Sequence, residues 1–185
     1  VRMEAGEGHI SLNATDMDLD IIDKGAANVS QPGATTARAQ TLYEIVRKLP
    51  EGSQVEFDCD GEGQLALKSG RSRFTLTCLP TDDFPVMSSG EMAHKFSLPA
   101  AEIRGLIDRT RFAISTEETR YYLNGIYLHA AVRDGTKVLR AVATDGHRLA
   151  SVEGPLPPTA DGMPGVIIPR KTVGELRKLI DETVD

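Results

Sequence analysis

The sequence predicts an α+β protein built from a repeated unit of one strand, one helix and three antiparallel strands. Three observations lead there: amphipathic helical segments recur at a fixed spacing, alternating strand patterns fill the gaps between them, and a short motif recurs about 130 residues apart. The helical segments are expected at Arg38–Leu49, Pro99–Arg111 and Pro169–Ile180. When Arg38, Pro99 and Pro169 are aligned, an aliphatic residue stands four positions on (Leu42, Ile103, Val173) and seven positions on (Ile45, Leu106, Leu176), which is the spacing of one helical face. Pro99 and Pro169 suit a first helical turn, where a missing N–H costs little, and Pro50 stops the first helix.

Between the helices the period changes to two. Val55, Phe57 and Cys59 alternate with Glu56, Asp58 and Asp60, and Phe74, Leu76 and Cys78 alternate with Thr75 and Thr77, as in half-buried strands. Ser69-Gly70, Asp134-Gly135 and Asp145-Gly146 supply turns that divide these regions into meanders. Asn13-Ala14-Thr15-Asp16 matches Val142-Ala143-Thr144-Asp145 at an offset close to that between Arg38 and Pro169, so two units make a domain of about 130 residues. The chain is out of phase with that period. Residues 1–85 are expected to form a first domain lacking its opening strand and helix, and 86–185 the first part of a second. A stretch at Pro80–Lys95, rich in Pro, Asp, Ser and Gly, joins them.

Composition is that of an ordinary globular protein, 40% apolar and 26% charged, with no apolar run approaching the ~20 residues of a membrane span. Cys59 and Cys78 lie far apart and form no CxxC, which indicates neither zinc nor a disulfide framework, and buried inert thiols in a reducing cytoplasm are expected. The four histidines have no metal-ligand spacing. No cofactor is expected.

The net charge of −6 argues against a polyanion partner until it is divided by element. The three helical segments hold ten basic residues (Arg38, Arg47, Lys48, Arg104, Arg109, Arg111, Arg170, Lys171, Arg177, Lys178) against four acids, leaving 11 basic and 23 acidic residues elsewhere. Basic helices beside acidic strands favour a polyanion on the helical face. Two other readings compete. Asp145 and His147 could act as an acid–base pair, though Gly146 makes a turn the simpler account and no third orienting group is evident. A scaffold of the same repeats with no DNA partner would differ in lacking salt-sensitive DNA association.

The stretches Arg71-Ser72-Arg73-Phe74, Arg120-Tyr121-Tyr122-Leu123-Asn124-Gly125 and Ala143-Thr144-Asp145-Gly146-His147-Arg148-Leu149-Ala150 resemble motifs of the bacterial DNA sliding clamp family, the beta subunit of DNA polymerase III, in order and in spacing. Pro32-Gly33-Ala34-Thr35-Thr36, Leu49-Pro50-Glu51-Gly52, Asp83-Phe84-Pro85 and Pro169-Arg170-Lys171 fit the same register. The resemblance implies a clamp fold with helices on an inner face and antiparallel sheets outside. It also implies a non-catalytic processivity factor that encircles double-stranded DNA without reading its sequence, and a head-to-tail homodimer when full length, with a third domain beyond Asp185.

DNA contact is implied for Tyr121, Arg170 and Lys171, and the basic-helix pattern adds Arg104, Arg177 and Lys178. Glu117 departs from a DNA-contacting glutamine of some members. A pocket for short peptide motifs of the polymerase III alpha subunit, the clamp loader and other clamp-binding proteins is implied at Arg120, Tyr122, Leu123, Thr144, Gly146, His147, Arg148 and Leu149. Arg71, Arg73, Phe74 and Thr75 are implied at the dimer contact, with Leu42 beside them. Gln40 and Thr41 there replace basic residues of some relatives. The helix 169–180 and the strand region 126–132 are expected to lack part of their apolar cover.

Overall fold

The structure, a computed structural model, describes residues 1–61, 63–85 and 93–183, with the side chains of 118, 182 and 183 left out of the description. The chain forms two compact units, Val1–Ser88 and Ser89–Asp185. Their border falls inside the expected 80–95 junction, of which 86–92 lies outside the described residues.

In the first unit β1 (Arg2–Gly6), β2 (His9–Thr15) and β3 (Asp20–Ala26) form a meander, β4 (Gly33–Thr36) returns to pair with β1, and α1 (Ala39–Val46) follows. The sheet order is β3-β2-β1-β4. A second sheet, β5 (Glu56–Cys59), β6 (Gln64–Ser69) and β7 (Ser72–Thr77), follows the helix in simple succession. The core joins both sheets through Met3, Ala37, Leu42, Leu65, Leu67 and Leu76.

The second unit begins with α2 (Ala100–Asp108). A meander of β8 (Gly125–Arg133), β9 (Thr136–Thr144) and β10 (Leu149–Pro155) comes next, then β11 (Val166–Pro169) pairs with β8, and α3 (Arg170–Thr183) closes the unit. The order β10-β9-β8-β11 repeats that of the first unit. The repeat inferred from the sequence is therefore a repeat of topology: three strands, a fourth returning to the first, then a helix. Leu106, Ile107, Ile114, Ile126, Leu139, Ala141, Val173 and Ile180 form its core.

Several expectations need correction. The helices are shorter or shifted: both Pro99 and Pro169 precede the first helical residue instead of lying in the first turn, and α3 runs three residues past Ile180. Within the second unit no strand precedes α2 among the described residues. Cys59 is exposed at the end of β5, a short edge strand, and Cys78, just after β7, is only half-buried against the core. Leu42 belongs to the core. Ile126, Val173 and Ile180 are buried, so the expected shortage of apolar cover does not reach them; Tyr127, Val132, Val166, Ile167 and Leu179 are the exposed large hydrophobic residues of that region.

The charge division also changes. The observed helices carry Arg104, Arg170, Lys171, Arg177 and Lys178 against Glu44, Glu102, Asp108, Glu175 and Asp181 among residues with described side chains, five of each sign. Arg38, Arg47, Lys48, Arg109 and Arg111 lie at or just beyond helix ends. No helix among the described residues is long and apolar enough to cross a membrane, and none of their His, Cys, Asp and Glu form a group of three or more able to hold a metal ion.

Candidate functional site

β9 and β10 are joined by a four-residue loop, Asp145–Arg148, between the paired residues Thr144 and Leu149. The loop is braced from within. The main-chain N–H groups of His147 and Arg148 donate to Asp145 Oδ1 at 3.0 and 2.9 Å, and Arg148 Nε donates to Asp145 Oδ2 at 2.9 Å. Thr144 Oγ1 accepts from the Gly146 N–H and donates to the Arg148 carbonyl. These bonds, led by the Arg148 and His147 N–H groups, lower the Asp145 carboxyl to about 2. The carboxylate thus meets the backbone of His147, and the Asp145–His147 pair is a loop brace.

Gly146 sits at φ +90°, a conformation a side chain would strain, and a Cβ there would lie 3.1 Å from Arg120 Nη1. The Arg120 guanidinium therefore lies over the loop, steadied by Glu117 at 3.0 Å. Arg120 is part of a 3-10 segment, Glu118–Leu123, that also presents Tyr121 and Tyr122 edge to face, with ring centroids 5.6 Å apart. On the other side Arg148 lies 5.6 Å over the Phe112 ring. Leu149 is 66% exposed beside this group. Arg120, Gly146 and Arg148 are thus brought together on one open surface, flanked by exposed Tyr122 and Leu149. Phe112 was not singled out from the sequence; a lone aromatic just after a helix carries no periodic signal.

The same segment leads to the basic residues of α3. The Arg170 N–H donates to the Asn124 carbonyl at 3.0 Å, tying the start of the helix to the end of the tyrosine segment. Gly125 permits this: a Cβ there would lie 2.3 Å from the Ile168 carbonyl oxygen. Tyr121, 79% exposed, and the exposed Arg170 and Lys171 flank that junction. Two cations in the first turn oppose the helix dipole, which favours anions there by about 0.3–1 kcal/mol.

Arg177 and Arg104 are different. Arg177, 12% exposed, donates from Nε to Asp108 Oδ1 at 2.9 Å and ion-pairs with Asp181. Arg104 reaches Asp108 at 3.6 Å and Asp181 at 3.5 Å. Lys178 pairs with Glu175 at 2.8 Å. The guanidinium of Arg177 is the first cause lowering both carboxyls, and the two carboxylates raise Arg177 further. The i,i+4 spacings Arg104–Asp108 and Arg177–Asp181 were visible in the sequence; the cross-helix link Arg177–Asp108 was not.

The remaining group lies on the first unit. Arg73, Phe74 and Thr75 are on β7, an outer strand of its sheet, with Arg71 in the turn before it, and all four are exposed.

Residues 1–88 match the description "DNA polymerase III beta subunit, N-terminal domain", and residues 97–185 match "DNA polymerase III beta subunit, central domain". The chain belongs to the DNA polymerase III beta subunit family.

Relatives named beta sliding clamp include that of Caulobacter vibrioides, 53% identical over all of this chain and 51% of its own length, and that of Escherichia coli K12, 38% identical over 97% of this chain and 48% of its own. Among solved structures, a Caulobacter crescentus beta sliding clamp matches with a TM-score of 0.94 at 52% identity, over 99% of this chain and 49% of that one. A Bartonella birtlesii sliding clamp bound to griselimycin matches with a TM-score of 0.92 at 50% identity, over 100% and 49%. The chain spans about half the length of the beta-subunit relatives it matches. Its fold is the clamp fold: helices and antiparallel sheets in two successive units of one order.

Proposed function

We propose that this chain is part of a sliding clamp that encircles duplex DNA without sequence preference and tethers the replicative polymerase, with no catalytic step of its own. The single observation carrying this reading is that both units match, in order, consecutive domains of one beta-subunit family. On this reading residues 1–85 and 86–185 are the first domain and part of the second, with a third beyond them.

Tyr121, Arg170, Lys171 and Lys178 contact phosphates sparsely, with Arg104 and Arg177 contributing through the field of the helix pair. Sparse phosphate contact keeps a clamp on DNA without stopping it at any sequence. Arg120, Tyr122, Leu123, Thr144, Gly146, His147, Arg148 and Leu149 receive the short peptides of the polymerase alpha subunit, the clamp loader and other partners. Leu149 supplies an apolar contact and the braced Asp145–Arg148 loop a rigid wall. Arg71, Arg73, Phe74 and Thr75 offer an outer strand for head-to-tail dimerisation. Such a protein works in the cytoplasm, beside the DNA it holds.

The test uses the full-length protein that contains this sequence, loaded onto a nicked circular plasmid. Retention on the circle, lost once the DNA is cut to a linear form, is the expected result. Equal retention on circular and linear DNA would sink the reading.

A further inference from the structure

Within the second unit, Arg104 and Asp108 on α2 face Asp181 and Arg177 on α3 in reversed order, so the two helices run antiparallel. That order brings Asp108, the last residue of α2, beside Arg177 in the middle of α3. Asp108 and Asp181 together bind three arginines: Arg104, Arg177 and, at 3.5 Å from Asp108, Arg111. The cluster holds three positive and two negative charges.

We infer that Asp108 and Asp181 are counter-charges that weaken this helix pair's hold on duplex DNA, and that Arg177 is a positioning residue clasping α2 to α3, not a phosphate contact. This rests on the sliding-clamp reading above. Three features support it. Arg177 is nearly enclosed and shared between two carboxylates, so it cannot also reach a phosphate without breaking both pairs. Asp181 lies near the end of α3, where the dipole disfavours an anion. Asp181 is also half-exposed, and removing its charge leaves Arg104 and Arg177 with one carboxylate, Asp108, in place of two. A clamp that must move along DNA gains from such damping, because each extra phosphate contact makes binding tighter and steepens its salt dependence by about 0.9 in log–log slope.

The experiment measures equilibrium association of the full-length protein with duplex DNA across a salt series, alongside thermal melting. Asp181→Asn is expected to bind about threefold tighter at low salt with a slope steeper by up to about 0.9, and Asp181→Glu to keep the wild-type slope. Asp108→Asn, the second variant, should shift the slope in the same direction. Arg177→Met should melt earlier, because the clasp between α2 and α3 is lost. An unchanged or shallower slope in the folded Asn variants, or an unchanged melting temperature in Arg177→Met, overturns the inference. A wild-type protein with no DNA association overturns the clamp reading itself, which separates the two failures.

Discussion

The loop Asp16–Leu19 of the first unit and the loop Asp145–Arg148 of the second are the same backbone device put to different use. In both, a threonine hydroxyl donates to the carbonyl four residues on (Thr15 to Leu19, 3.1 Å; Thr144 to Arg148, 2.7 Å) and accepts the N–H two residues on. In both, an aspartate Oδ1 accepts the next two N–H groups in the loop (Asp18 and Leu19; His147 and Arg148). The second loop position takes positive φ in each, +77° at Met17 and +90° at Gly146. The side chains then diverge. Glycine at 146 leaves room for the Arg120 guanidinium, whereas Met17 accepts the strain and points into solvent. Arg148 and Leu149 stand where the first unit has Leu19 and Asp20. The Thr-Asp pair sets the turn, and the residues around it decide whether the turn becomes a binding surface.

Exchanging residues between the loops tests that distinction. Leu149→Asp, which copies Asp20, should have the largest effect: an exposed leucine contributes little to folding, so stability should change by less than about 0.5 kcal/mol, while affinity of the full-length protein for a labelled clamp-binding peptide should fall ten- to hundredfold. Fluorescence anisotropy reads this, and unchanged binding would remove Leu149 from the surface. Gly146→Met, which copies Met17, should cost about 1–2 kcal/mol in denaturant unfolding, because a side chain must adopt the left-handed conformation and displace Arg120. A neutral result would mean that Arg120 does not lie over the loop in solution.

The reverse change, Met17→Gly, should stabilise by less than about 1 kcal/mol, since relief of backbone strain is partly offset by the greater freedom of glycine in the unfolded chain; measurable destabilisation would assign the Met17 side chain a contact not seen here. The smallest effect concerns pH. Asp145 titrates at about 2, below the ordinary 3.8, so its charge contributes stability that is complete above about pH 4 and is lost as pH falls through 2. The melting difference between wild type and Asp145→Asn should therefore shrink between pH 4 and 2, and a difference constant over that range would show that the charge adds nothing to the main-chain bonds.

Periodicity and turn chemistry made much of this legible from the chain alone. The spacing of Leu42, Ile103 and Val173 and of Ile45, Leu106 and Leu176 placed the inward face of each helix, because burial demands the 3.6-residue period wherever the helix packs. Asp134-Gly135 marked a two-residue hairpin, with both residues at positive φ. The recurring Thr-Asp motif located two loops whose hydrogen bonds agree almost atom for atom, since those bonds are local in sequence.

What the chain alone left undecided was set by contacts between elements. Helix ends depend on the last hydrogen bond, so Pro99 and Pro169 fell just outside helices they were expected to open. Cys59 shows the alternation of a half-buried strand yet is exposed, because alternation cannot tell whether a second layer covers an edge strand. Ten basic residues near helices read as a cationic face, but Arg177 meets Asp108 sixty-nine positions away and Arg104 meets Asp181, so part of that charge is spent inside the fold. Sequence determines which charges and turns a segment brings; only tertiary packing decides which charges neutralise one another and which remain for a partner, because Coulomb attraction acts over ångströms in space and not over positions in the chain.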